Sequence, residues 1–195
     1  MELIISDCSS GEDRLRWDRF VLDHECGTGY HLYSWRNVIS EVFGHDTIYL
    51  MGKNESGEIV CVAPLVILSS LLFGRFLISI PFLNYGGILA INQETRASLE
   101  AYLEEIATFE EVEHVELRQQ EVVATSWVRS ERKVSMRLSL PSAYDDLQKQ
   151  FPSKLRSQVR RAQKEGMTAR VGGSECLDEF YTVFSRCMRD LGTPV

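Results

Sequence analysis

The stretch HDTIYLMGKNESGEIVCVAPLVI, residues 45–67, decides the fold. Two runs rich in apolar and β-branched residues flank the polar tetrapeptide NESG at 54–57. Apolar runs on either side of a short turn that contains glycine are typical of an antiparallel β-hairpin. We therefore expect residues 46–53 and 58–67 to form adjacent antiparallel strands.

Helical and extended patterns alternate on both sides of this hairpin. Apolar residues at helical spacing, closed by stop signals, predict helices over three ranges, 12–26, 32–43 and 93–110. Shorter apolar runs predict strands over four ranges, 2–5, 76–80, 114–118 and 133–140. Helices interspersed with strands in this order indicate an α/β fold with helices around a mixed sheet.

A second region opens at Pro141-Ser142. Capping residues and breakers predict helices over 142–150, 153–166 and 174–192, with a short strand over 167–171. These elements are too few for a closed sheet domain. We expect residues 1–140 to form one lobe, and residues 141–195 to be the beginning of a second lobe.

The charge is distributed unevenly. The chain of 195 residues has a formal net charge of −7, but residues 149–164 hold six Lys or Arg and no acid. Proteins that coat long nucleic acids are usually basic over their whole surface. The pattern therefore favours one discrete anionic ligand, although a small nucleic-acid-binding protein that uses this segment stays an alternative.

The cysteines and the longest apolar stretch give no sign of a secreted, metal-bound or membrane-spanning chain. The five cysteines are scattered without a C-x-x-C pair, which fits a reduced cytosolic setting and no metal site. The N-terminus lacks the basic and apolar regions of a secretory signal. Proline, glycine and Arg75 interrupt the apolar residues 60–83, so we expect no integral membrane segment.

The basic segment KLRSQVRRAQKEG, residues 154–166, has two faces when it is built as a helix. Leu155, Val159 and Ala162 fall on one side. The other side carries five cations suited to phosphate: Lys154, Arg156, Arg160, Arg161 and Lys164. The pattern predicts an anion-binding face, and its alternative is a solvated amphipathic helix.

The segment PFLNYGG, residues 81–87, follows an apolar strand. Gly86 and Gly87 would let backbone N–H groups approach a ligand, with Asn84 and Tyr85 as polar groups beside them. A plain turn or a β-bulge explains the same residues. We treat these four residues as candidate substrate-binding positions.

The predicted strand HVELR, residues 114–118, alternates polar and apolar residues. His114 and Glu116 share one face, where either side chain could accept a proton from an amine. A half-buried strand with its polar face in water gives the same alternation. The sequence offers these two residues as candidate catalytic bases.

Four segments together resemble one family: PFLNYGG at 81–87, ELR at 116–118, KLRSQVRRAQKEG at 154–166 and FYTVFSRCMRDLGTP at 180–194. They are similar to the Fem-type peptidyltransferases, in particular the subgroup associated with PEP-CTERM/exosortase and exopolysaccharide systems. The K-x-R-x-x-x-R-x-A-x-K-x-G pattern is the most specific of these segments.

This resemblance implies a GNAT-like mixed twisted sheet flanked by helices, followed by the start of a second, incomplete GNAT-like lobe. It implies transfer of an acyl or aminoacyl group from acyl-CoA or aminoacyl-tRNA onto an amine. The acceptor would be a phosphate-bearing envelope or polysaccharide precursor. We expect a cytoplasmic protein, with a position at the inner face of the membrane as an alternative within the cytoplasm.

Members of this family are longer, so we expect this chain to end early in the second lobe. An alternative reading is a non-catalytic anion-binding remnant or fragment of such a transferase. The predicted helix 174–192 carries an apolar stripe that needs a cover. We therefore expect self-association through residues 174–192.

Overall fold

A computed structural model describes residues 3–120, 122–130 and 134–193. Glu2, Lys133 and Pro194, which the sequence predictions used, lie outside the described residues. The chain divides into two compact units, Met1–Ser135 and Met136–Val195.

The first unit is built on a mixed sheet. The described strands are β1 (Ile4–Asp7), β2 (Asp46–Lys53), β3 (Ile59–Ser70), β4 (Gly74–Ile78), β5 (Leu89–Ala90) and β6 (His114–Glu116). They run in the order β1-β2-β3-β4-β6, and β5 pairs with β3. All pairs are antiparallel except β4 and β6, which are parallel.

The predicted hairpin is confirmed. Residues of β2 pair with β3 from Asp46 opposite Ile67 to Lys53 opposite Ile59. The turn is closed by hydrogen bonds between the Asn54 and Glu58 backbones at 3.0 Å and from Gly57 N–H to Asn54 C=O at 2.8 Å. Gly57 has φ +79°, a conformation that favours glycine.

The helices of the first unit are α1 (Gly11–Asp23), α2 (Ser34–Phe43) and α3 (Gln93–Phe109), with a short 3₁₀ helix at Gly29–His31. Ser10 and Asn92 cap α1 and α3 by accepting backbone N–H groups. α2 ends at Gly44, which has φ +67°. All three lie within or close to the predicted ranges.

Alternation along β3 builds a core on both sides of the sheet. Val62 and Val66 pack with Trp17 of α1 and Ile39 of α2, while Leu65 packs on the other side with Leu99 of α3. The mixed sheet flanked by helices that the sequence predicts is therefore confirmed.

The second unit contains α4 (Tyr144–Gln150), α5 (Ser153–Lys164), a 3₁₀ turn at Ser174–Cys176 and α6 (Leu177–Asp190). None of its described residues, 136–193, is buried. That residues 141–195 begin a second lobe of the same fold stays a prediction.

Two predicted strands are wrong. Residues 134–140 and 167–171 are irregular. Val134 and Met136 alternate with polar residues as a strand would, yet they are 84% and 91% exposed, and Val171 is fully exposed. Alternation specifies a strand only where a neighbouring strand and a buried face are available, and no strand of the described sheet pairs with either segment.

Candidate functional site

A cavity of about 230 Å³ lies in the first unit, where the end of α1, the 3₁₀ helix, the segment before α3 and the residues after β6 converge. The lining includes six side chains that can form hydrogen bonds or carry a charge: His24, His31, Arg96, Arg118, Gln119 and Gln120. Glu25 and Cys26 also line it. These residues come from four separate parts of the chain.

His24 follows the last residue of α1 and is held at both ring nitrogens. Its Nδ1 accepts the Cys26 backbone N–H at 3.1 Å, so the ring proton lies on Nε2. That nitrogen donates to the Ala90 carbonyl at 3.1 Å. The His24 ring therefore ties the end of α1 to β5 in one tautomer.

His31 is buried and its Nδ1 accepts the Thr28 backbone N–H at 3.3 Å. Burial lowers the pKa of His31 to about 4, against the opposing effect of hydrogen bonds with the Thr28 and Gly87 backbones. The ring is therefore neutral at pH 7. It is a structural hydrogen-bonding group and a weak base.

Arg96 and Glu100 form a buried pair within α3. Arg96 Nη1 lies 3.5 Å from Glu100 Oε1, and each side chain is 8% exposed. Arg96 Nη2 donates to the Ile88 carbonyl at 2.6 Å, and Glu100 accepts a hydrogen bond from Thr125 at 2.9 Å. Burial lowers the pKa of Arg96, which Glu100 opposes. The guanidinium is thus fixed at the wall of the cavity.

Arg118 fixes the PFLNYGG segment. Its Nη1 donates to the Pro81 carbonyl and to the Leu83 carbonyl, the latter at 3.0 Å. Its own carbonyl accepts the Gly86 N–H at 3.3 Å. Arg118 therefore holds the loop in a turn by hydrogen bonds. A plain turn was one of the two interpretations of this segment in the sequence analysis.

The two glycines of this loop are explained by internal packing. A Cβ at Gly86 would lie 2.7 Å from Ile80 Cγ1, and a Cβ at Gly87 would lie 1.5 Å from Gln119 Oε1. Gly87 and Tyr85 line the cavity, whereas Asn84 is exposed and outside the lining. A role for these residues in binding substrate stays a prediction.

The predicted bases lie on β6, away from the lining. The His114 ring packs on Phe76 with centroids 4.5 Å apart, and Glu116 accepts a hydrogen bond from Arg118 Nε at 2.8 Å. Both side chains are exposed, and neither lines the cavity. Both predicted bases therefore lie outside the lining, and Glu116 contacts it through Arg118.

The predicted basic face lies on α5 in the second unit. Lys154, Arg160, Arg161 and Lys164 are exposed, and Arg156 is half-buried. Arg161 donates to Glu165 at 2.7 Å, a solvated pair of small energetic value. The cations lie on one helix as predicted, and their anion binding stays a prediction.

Sequence reasoning missed His24, His31, Arg96, Gln119 and Gln120. One of them had a signal: Arg96 and Glu100 fall at i, i+4 on the same helical side as Leu99 and Leu103. A charged pair within an apolar stripe marks a buried polar site. The histidines had no comparable pattern.

Among the residues that the structure describes, no group of three or more His, Cys, Asp or Glu side chains is placed to hold a metal ion. No helix in the same part of the chain is long and apolar enough to cross a bilayer.

No family model and no curated protein matches the sequence. Among solved structures, FemX matches with a TM-score of 0.61 and 19% identity, over 99% of this chain. The chain spans about half of FemX, 51% of its length. The fold of this chain is therefore shared with FemX.

Two acetyltransferases match more weakly. The aminoglycoside antibiotic 6′-N-acetyltransferase from Acinetobacter baumannii has a TM-score of 0.44 and 13% identity, over 72% of this chain and 100% of its own. Glucosamine-6-phosphate N-acetyltransferase from Arabidopsis thaliana has a TM-score of 0.45 and 12% identity, over 71% of this chain and 100% of its own.

Proposed function

We propose that this chain belongs to an N-acyl or aminoacyl transferase of the Fem/GNAT type. The observation that carries the proposal is the fold shared with FemX over 99% of the chain. Fold alone does not fix chemistry. The proposal therefore also uses the cavity, which places hydrogen-bonding side chains around a space large enough for a small reacting group.

The donor in this proposal is acyl-CoA or aminoacyl-tRNA, and the acceptor is an amine of a cell-envelope or exopolysaccharide precursor. The cations of α5 would hold a phosphate of the donor or the acceptor, because guanidinium and ammonium groups suit phosphate oxygens. The association with PEP-CTERM/exosortase systems and the cytoplasmic location at the inner face of the membrane belong to the same proposal.

The reaction we propose is direct attack of the amine on the donor carbonyl. A C–N bond forms, the C–O bond of an ester or the C–S bond of a thioester breaks, and the amine proton ends on the leaving group. Burial raises the pKa of Cys8 to about 11 and of Cys61 to about 12, so both are protonated, unreactive thiols at pH 7. A covalent intermediate on either residue is therefore disfavoured.

Glu25 is the candidate base that the cavity adds to the earlier two. Among the lining residues that the structure describes, it is the only carboxylate. His24 and His31 already use ring nitrogens for internal hydrogen bonds. Glu25 would take the amine proton, while Glu116 and His114 stay the candidates on β6.

The test is transfer by the purified chain from bulk tRNA charged with radiolabelled amino acids, and from radiolabelled acetyl-CoA, onto phosphate-bearing envelope precursors. Removing a general base costs about a hundredfold to ten-thousandfold in rate. If Glu25 is the base, Glu25→Gln shows this loss and Glu116→Gln does not. Cys26→Ser should retain activity, because direct attack needs no thiol. Absence of transfer from both donors would count against the proposal.

A second candidate function is a non-catalytic binding module with the same fold. The occupied ring nitrogens of His24 and His31 favour it, because the cavity then holds binding groups and few proton acceptors. Ligand binding with no transfer, by a chain that melts cooperatively, would support this function over the first.

A further inference from the structure

The tip of the β3–β4 hairpin exposes three consecutive apolar side chains. Leu71 is fully exposed, and Leu72 and Phe73 are 87% and 74% exposed. The pairing of β3 with β4 extends to Ser70 opposite Gly74, so these three residues form the whole connection between the two strands. Such turns are normally built from glycine, proline and small polar residues. An apolar tip of this kind therefore indicates a surface that contacts something other than water.

The tip is held in a fixed conformation. Ser70 Oγ accepts the backbone N–H groups of Leu72 and Phe73, both at 3.3 Å. Gly74 ends the loop with φ +91°, a conformation that favours glycine. Backbone polar groups enter an apolar phase only where they are already hydrogen-bonded. The two paired N–H groups therefore lower the free-energy cost of moving the tip out of water.

Charge is absent from the tip and begins at its base. The sequence holds no charged residue between Glu58 and Arg75. Arg75 donates to Glu110 at 2.6 Å, and the two charges of this pair cancel. Glu113 is exposed and lies against Gly74, since a Cβ at this glycine would meet its carboxylate. The tip can therefore leave water without burying a charge, and a carboxylate marks the depth at which insertion would stop.

Area and charge distinguish the surfaces that could cover the tip. Even at about 250 Å² apiece, the value for a large aromatic, three side chains offer less than about 750 Å². Each partner of a stable protein interface contributes about 800 Å², so the tip alone is too small to hold a second copy of the chain. A bilayer needs no complementary groove, and segments at its interface bury apolar side chains about 5–10 Å deep. The carboxylate of Glu113 would meet the ammonium groups of zwitterionic lipids, whereas an anionic surface would repel it.

We propose that residues 71–73 insert into the zwitterionic surface of a lipid bilayer and hold the first unit there. A position at a membrane is part of the proposed function. The membrane contact itself rests on the hairpin tip and on no step of the transfer reaction.

Flotation of the whole chain with phosphatidylcholine vesicles at about 0.15 M salt tests the contact. These vesicles carry no net charge, so the cations of α5 contribute little to binding. We expect the wild-type chain to bind, and L71S/L72S to bind at least about tenfold more weakly, because two inserted apolar side chains are lost. The matched control L15S/L22S removes two leucines of α1 that are 75% and 73% exposed, and it should retain the binding. A folded wild-type chain that does not float, or equal binding by L71S/L72S, would overturn the proposal.

Fluorescence locates the contact at the tip. The variant F73W keeps an aromatic side chain there and should still bind the vesicles. Lipids brominated along their acyl chains should quench its emission more than they quench the tryptophans of the wild-type chain. A vesicle-bound F73W without this added quenching would assign the contact to another part of the chain. Binding that requires phosphatidylglycerol would assign it to cations, and either result would overturn the proposal.

Two measurements without vesicles test the other possible covers of the tip. If a second copy covered the tip, L71S/L72S would shift the chain towards monomer in light scattering. If the tip packed within its own chain, the same variant would unfold at a lower denaturant concentration than the wild type. We expect neither change, and either one would overturn the proposal.

The outcomes separate this proposal from the proposed function. Vesicle binding that requires Leu71 and Leu72, without any transfer reaction, keeps the membrane contact and removes the transferase. Transfer by a chain that does not bind vesicles keeps the transferase and removes the membrane contact.

Discussion

Trp17 in α1 and Phe180 in α6 are both large aromatic residues among the apolar positions of an amphipathic helix. Trp17 is fully buried, and Phe180 is 60% exposed. Trp17 packs on Tyr49 of β2, with ring centroids 5.2 Å apart, and donates to the His31 carbonyl at 2.7 Å. The helical pattern alone does not decide burial, because a helix side is buried only where a sheet or another helix covers it.

The largest effect that tests this contrast is the loss of Trp17. Trp17→Ala should destabilise the first unit by about 3–5 kcal/mol, the range for truncating a buried aromatic. Chemical denaturation followed by circular dichroism measures it. Phe180→Ala is the matched control and should change stability by about 0.5 kcal/mol or less, because an exposed side chain loses little. Similar losses for the two variants would remove the contrast.

Acid should weaken the first unit through His31. The ordinary pKa of 6.5 falls to about 4 in the folded state, because burial disfavours the charged ring. Between pH 6.5 and pH 4, His31 binds a proton in the unfolded chain and does not bind one in the folded chain. Stability is therefore complete above pH 6.5 and falls by up to about 3 kcal/mol as the pH drops to 4.

Denaturation at a series of pH values measures this loss, with His31→Gln as the control. The variant cannot be protonated, so its stability should change less over the same range. A slope that persists undiminished in His31→Gln would assign the acid sensitivity to other groups.

Particular residues also show which parts of the fold and of the cavity the sequence predicts. The hairpin at 46–70 was predictable because turn chemistry and alternation agree locally. Residues 134–140 have the same alternation, yet no strand of the described sheet pairs with them, so the prediction failed there. Tyr85 and Gly87 of the predicted loop do line the cavity. His24, His31 and Gln119 were unpredictable because tertiary packing alone brings their elements together.

The next effect concerns the exposed cations of the second unit. If α5 holds a phosphate, Arg160→Ala should weaken the binding of inorganic pyrophosphate by about 1.5–3 kcal/mol, the range for a hydrogen bond to a charged group. Calorimetry at low salt measures it. Arg189→Ala, an exposed arginine of α6 paired with Asp190, is the control and should have no effect. Unchanged affinity in Arg160→Ala would favour a solvated helix.

The smallest expected effect on folding, and the sharpest test of the second unit, comes from the apolar stripe of α6. Leu177 and Phe180 are 59% and 60% exposed, and the Phe180 and Phe184 rings stack with centroids 5.4 Å apart. A contiguous apolar surface of this kind is unusual on a monomer. We expect a second copy of the chain to cover it.

Replacing Phe180 and Phe184 together by Ser should shift the chain from dimer towards monomer in light scattering. The stability of the first unit should change by only about 1 kcal/mol or less, because these rings belong to the second unit. A wild-type chain that stays monomeric at micromolar concentration, with α6 amides strongly protected from hydrogen exchange, would show that self-association through 174–192 is wrong and that the stripe is covered within one chain.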